Sequence, residues 1–124
     1  MSIRVLVVED DLNVHKVIDD ILEVVYRDLK IDKALTTESL LGKIKQNDTT
    51  YDLVLFDIHF EEPAGRDLLL KLRTERPDLN QKIVILNGSY EGISTDQDLK
   101  GLPVILRPFS IDKFSETITN ICAA

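Results

Sequence analysis

Apolar and polar positions along the chain follow two rhythms. Short runs rich in β-branched residues, at 3–8, 52–56, 83–86 and 104–106, read as strands, and a weaker run at 31–35 predicts one more. Between them lie longer segments in which apolar residues recur at helical spacing. Val14, Val17, Ile18, Ile21, Leu22 and Val25 fall at i, i+3, i+4, i+7, i+8 and i+11, which predicts one apolar helix face, with Asp11 as its N-cap. His15 is placed by this pattern on the polar, solvated side.

A second helix is predicted after Thr36 or Thr37, turning Leu40, Leu41 and Ile44 inward. A third carries Leu68, Leu69 and Leu72 and is stopped by Pro77, whose ring pushes the preceding residue out of the α region. The last begins at Ser110 and is expected to point Ile111, Phe114, Ile118 and Ile121 at the sheet. The segment 88–101 has three glycines and few apolar residues, so any helix there should be short.

Strands that are apolar on both faces are covered on both sides, so the alternation predicts an α/β fold, a doubly wound parallel sheet of five strands with helices on both faces. A length of 124 residues fits a single domain over 1–124, with 44% hydrophobic and 30% charged residues. No stretch approaches the roughly 18 consecutive apolar residues of a membrane span, and the opening MSIRVLVVED breaks into acids, unlike a secretion signal. A cytoplasmic protein without a membrane partner is expected. The net charge of −7 disfavours direct nucleic-acid binding, which depends on Lys and Arg displacing counterions. Cys122 is the single cysteine, so neither an internal disulfide nor a cysteine zinc site is available, and it reads as an apolar filler.

In doubly wound sheets ligands sit at the carboxyl ends of the strands. The first strand ends in Glu9, Asp10 and Asp11 and the third in Asp57, so three or four carboxyl groups should meet at one edge. At about 5 Å and an effective dielectric near 20, each pair repels by about 3 kcal/mol. A hard divalent cation relieves this, and Mg²⁺ takes one or two carboxylates together with phosphate oxygens. Asp57, after four apolar residues, is the candidate nucleophile, because an ionised carboxylate can attack phosphorus to give an acyl phosphate. Such an attack needs charge neutralisation, for which Arg107, at the end of the fifth strand, is the obvious cation.

At this point the chain resembles the response-regulator receiver family (CheY-like) over nearly its whole length. Val7-Val8-Glu9-Asp10-Asp11 looks like its metal-binding turn, Tyr51 to Asp57 its phosphoacceptor strand, and Arg107-Pro108-Phe109 its Lys-Pro-Phe turn. The spacing from Asp57 to Gly65-Arg66-Asp67-Leu68-Leu69 is the family's spacing from acceptor to third helix. The resemblance implies a flavodoxin-like sheet of order 2-1-3-4-5. It also implies Mg²⁺ held by Asp10, Asp57, Glu9 and the backbone carbonyl of His59, and a cis peptide before Pro108. The function implied is that of a phosphorylation-regulated signalling domain and not a conventional enzyme. Its partners would be a sensor histidine kinase or histidine phosphotransfer protein upstream and a downstream protein or effector domain. A weak homodimer through the fourth helix, fifth strand and fifth helix is implied too, a surface that the irregular segment 88–101 weakens here.

Four positions depart from the family pattern. Asn87 stands in place of Thr or Ser, with Ser89 as a substitute hydroxyl; Arg107 replaces Lys. Val104 occupies the position of the switch aromatic, and Glu61 with Pro63 alters the loop after the acceptor. The alternative reading is therefore a pseudo-receiver, an interaction module that signals without phosphorylation. His59 is expected to point into the loop beside the site. A haloacid dehalogenase-like phosphatase is disfavoured because His59 stands where its second Asp would be, and an FMN carrier because Glu9-Asp10-Asp11 would repel its phosphate.

Overall fold

The computed structural model describes residues 2–46, 48–87 and 90–122, the side chain of Tyr90 excepted. Five strands, β1 (Ile3–Val8), β2 (Leu29–Ala34), β3 (Leu53–Asp57), β4 (Ile83–Leu86) and β5 (Val104–Ile105), alternate with α1 (Leu12–Val25), α2 (Thr37–Lys45), α3 (Gly65–Glu75), α4 (Tyr90–Ser94) and α5 (Ile111–Cys122). All strand pairs are parallel, in the order β2-β1-β3-β4-β5. This is the expected doubly wound sheet. A 3₁₀ turn over Pro77–Lys82 leads into β4.

Alternation along the strands divides the core in two. Leu6, Val8, Val54, Phe56, Ile85 and Val104 face α2, α3 and α4, where Leu40, Ile44, Leu69, Leu72 and Ile93 cover them. Val5, Val7, Leu53, Leu55, Val84, Leu86 and Ile105 face α1 and α5, under Ile18, Leu22, Phe114 and Ile118. Because β1, β3 and β4 are buried on both faces, their register is set by apolar contact on both sides at once, whereas the edge strand β2 is only partly buried. The helix starts follow the caps: Asp11 accepts from the Asn13 N–H at 2.8 Å, and Thr36 Oγ1 from the Ser39 N–H at 3.1 Å.

Three expected orientations are corrected. His15 is buried, 1% exposed, and not solvated. It lies at i, i+3 and i+7 with Ile18 and Leu22, so it shares their inward line, whereas Val17, 47% exposed, lies on the far flank of the face with exposed Val24. Ile111 is exposed as well, because Phe109 packs edge-on against Phe114 at 5.5 Å and fills the place Ile111 was expected to take. In segment 88–101 the helix α4 has five residues, short as expected, and the Ser89 substitution falls outside the described residues.

Gly65 shows how closely the loop after β3 is packed onto α3. A Cβ there would overlap the Ile58 carbonyl oxygen and come within 2.9 Å of the Phe60 carbonyl oxygen, both backbone atoms. Gly65→Ala is expected to destabilise the protein by about 2 kcal/mol or more, read as a lowered urea midpoint. An unchanged midpoint would mean that the loop has room to move.

Candidate functional site

The strand register builds the site. Val8 pairs with Phe56, which sets Glu9 beside Asp57, and Asp57 pairs with Leu86, itself opposite Ile105. The residues that leave these strands, Glu9 and Asp10, Asp57, Asn87 and Arg107, therefore line one cavity of about 540 Å³ at the carboxyl edge of the sheet. Carboxylate oxygens of Glu9, Asp10 and Asp57 lie within 4.8 Å of one another. Asp11 stands apart from that trio, its side chain occupied in capping α1.

Two of the three acids are held by backbone donors. Asp57 Oδ1 accepts from the His59 N–H at 2.8 Å, and Asp10 Oδ2 from the Glu61 N–H at 3.2 Å. Glu61 adopts a left-handed backbone (φ 48°), and its own carboxylate accepts from the Thr37 N–H at the start of α2. Glu9 is 1% exposed, and its Oε2 has no partner among the described residues. Burial first, then a hydrogen bond shared with Asp57 and the charges of Asp57 and Asp10, push its carboxyl up to about 9; Arg107 opposes this. A buried carboxylate oxygen without a partner beside two more carboxylates is a donor set of hard oxygens, and it fits a divalent cation such as Mg²⁺.

Arg107 is exposed, rests over the Phe109 ring at 5.8 Å, and makes no ion pair with a described residue. The peptide between it and Pro108 is cis, as is Glu62–Pro63. Asn87 lies in the left-handed region (φ 61°), which Asn tolerates better than branched residues, and its buried Oδ1 has no described partner. Val104 is buried in the core under α4, opposite Ile85. The His59 ring is exposed and bonded to Glu62, and the residue lines the cavity.

Two contributors escaped the sequence reading. His15 Nε2 meets the Glu9 carbonyl at 2.6 Å, and Glu61 ties Asp10 to α2. The i, i+3, i+7 spacing of His15 with Ile18 and Leu22 carried a signal for the first. For Glu61 the sequence held none, because its role depends on a left-handed turn and a contact to a residue far away in the chain.

The family model described as "response regulator receiver domain" matches residues 5–119. Among curated proteins, the chain is 27% identical over 90 residues to the transcriptional regulatory protein DcuR of Escherichia coli O6:H1, covering 68% of this chain and 37% of that protein. It is 28% identical over 125 residues to the transcriptional regulatory protein ZraR of Klebsiella oxytoca, covering 98% of this chain and 27% of that one. The chain thus spans well under half the length of these relatives. Among solved structures, a CheY-like receiver domain protein from Methanospirillum hungatei superposes with TM-score 0.79 at 25% identity, covering 99% of this chain and 95% of that one. The response regulator TrrA from Thermotoga maritima, crystallised with Mg²⁺ and BeF, gives 0.75 at 24%, covering 98% and 99%.

The raised Glu9 carboxyl makes stability pH-dependent. In the unfolded chain it ionises near its ordinary 4.5 and in the fold near 9, so between those values the folded state binds the extra proton and stability falls as pH rises. In metal-free buffer Glu9→Gln is therefore expected to melt a few degrees above the native protein at about pH 8 and level with it at about pH 4. Thermal unfolding at the two pH values checks this, and equal melting at the higher one would show that Glu9 titrates normally.

Proposed function

We propose, from the premise that the chain belongs to the response regulator receiver family of two-component systems, that Asp57 accepts a phosphoryl group from a phosphohistidine donor in a Mg²⁺-dependent step. The observation that carries the reading is the trio Glu9, Asp10 and Asp57, with oxygens within 4.8 Å, facing Arg107 across one cavity. Glu9, Asp10, Asp57 and the His59 carbonyl would hold the cation. When bound, Mg²⁺ supplies positive charge to the carboxylates and to the phosphoryl oxygens.

The rest of the chemistry belongs to the chain's own groups. The His59 N–H fixes the rotation of the Asp57 carboxylate, whose oxygen attacks phosphorus as the donor's N–P bond breaks, giving an aspartyl phosphate and a free imidazole on the partner. Arg107 faces the negative charge of the transferred group, and its planar fork suits phosphate oxygens. The Asn87 amide sits at the same rim and can donate to a phosphoryl oxygen in place of a hydroxyl. The phosphoryl group comes from a sensor histidine kinase or a histidine phosphotransfer protein, and the result is a changed contact with a downstream protein or effector domain. The greater length of the two transcriptional regulators supports the effector reading. No helix among the described residues is long and apolar enough to cross a membrane.

Incubation with acetyl phosphate and Mg²⁺ should add the mass of one phosphoryl group to the native chain and none to Asp57→Asn. Asp10→Ala should weaken Mg²⁺ binding by about tenfold or more, and Arg107→Ala should slow phosphorylation by about 10- to 100-fold. A native chain with unchanged mass and unchanged amide spectrum would instead mark a module that signals without phosphorylation.

A further inference from the structure

A buried histidine sits behind the acidic turn. Glu9 leaves β1 with its N–H donated to the Ala34 carbonyl at 3.1 Å, and the β1–β2 register ends with Val8 opposite Ala34. Its own carbonyl turns to the first turn of α1, where His15 Nε2 lies 2.6 Å away. The contact identifies the tautomer. A carbonyl oxygen only accepts, so Nε2 carries the hydrogen, and the buried Nδ1, which has no partner among the described residues, is the unprotonated nitrogen. An imidazolium would instead bury an unmatched N–H, and burial indeed holds the His15 pKa below its ordinary value.

The Glu9 carbonyl and the Asp10 N–H belong to one rigid peptide plane. Holding that carbonyl therefore fixes the direction in which Asp10 leaves the chain, while the β2 bond fixes Glu9 from the other side. Asp10 itself is exposed, and its side-chain contact to the Glu61 N–H is 3.2 Å long. The firm restraint on the acidic turn is thus applied to its backbone.

We propose that His15 is a positioning residue, a neutral donor whose Nε2–H holds the Glu9–Asp10 peptide and thereby presets the carboxylates for a divalent cation. This rests on the phosphoacceptor reading above, whose cation it serves. A histidine that merely filled the core would contribute to stability and leave the cation affinity of the folded protein alone.

Two variants of the full chain separate these roles. Gln can place its amide nitrogen near the position of Nε2, whereas Asn, one carbon shorter, reaches only the region of Nδ1. Both lose similar ring packing. His15→Gln should keep the native Mg²⁺ affinity, and His15→Asn should lose about tenfold, as metal sites do when a ligand's supporting partner is removed. At saturating Mg²⁺ the phosphorylation rate of His15→Asn by acetyl phosphate should return to the native value, because the defect lies in cation binding. On the native protein, long-range ¹H–¹⁵N spectra of the ring should show hydrogen on Nε2, a result that does not depend on either variant folding.

Equal Mg²⁺ affinity in the two variants, or hydrogen on Nδ1, overturns the proposal. A native chain that binds no Mg²⁺ overturns both this role and the phosphoacceptor reading, whereas native binding with equal variants removes the role of His15 alone.

Discussion

Mutual repulsion among Glu9, Asp10 and Asp57 is the constraint around which the upper rim of this molecule is organised. Parallel register forces it: with Val8 opposite Phe56, the residues that follow β1 and the end of β3 have nowhere else to go. Three carboxyl groups within 4.8 Å face a single guanidinium, that of Arg107, across the same cavity. Two responses are visible. Backbone N–H groups of His59 and Glu61 are aimed at Asp57 and Asp10, and Glu9 is left so poorly solvated that its proton is retained up to about 9. A divalent cation that displaced this proton would match the charge difference between three carboxylates and one guanidinium.

Much of this was legible in the chain because it depends on local pattern. The strands at 3–8 and 83–86 coincide with β1 and β4, since an apolar run bounded by polar residues is its own signal. Asp11 and Thr36 cap their helices as read, because a cap needs only the two or three residues that follow it. Asp57 stood out because an acid ending a fully apolar strand has no other reason to be there. What could not be read depends on which flank of a helix meets the sheet. Val17 and His15 lie on opposite flanks of the α1 face, and residue type argued for the wrong one: an aliphatic residue went to solvent and an imidazole went in, because the Glu9 carbonyl needed a donor. Ile111 failed similarly, its expected place being taken by Phe109 from the preceding turn.

The segment between α4 and β5 is held by both charge and apolar contact. Arg66 on α3 reaches both oxygens of Asp96 at 2.8 and 2.9 Å and also Asp98 at 2.8 Å, and it holds the Asp96 carboxyl down at about 2. Arg73, two turns further along α3, donates to the Asp98 carbonyl at 2.6 Å. Beneath these links the apolar anchors are Ile93 and Leu99. On β5, Val104 is buried opposite Ile85 and offers no aromatic ring of its own to link the strand to the Asn87 position. The α3 arginines and the aspartates of the loop after α4 join α3 to that segment above the buried contacts of Ile93 and Leu99.

The brevity of β5 has a consequence of another kind. An open sheet has two outer strands whose unpaired N–H and C=O groups can template the addition of a foreign strand. Here one border is two residues long, preceded by Pro103 and followed closely by Pro108, neither of which can donate a ladder hydrogen bond. The opposite border, β2, alternates Lys30, Asp32 and Lys33 with its apolar residues, and Arg4 and Tyr51 are drawn onto Asp32. Neither border offers a long, flat, uncharged run. Growth of the sheet from molecule to molecule, the usual route from an α/β fold to a fibrous aggregate, is disfavoured at both ends.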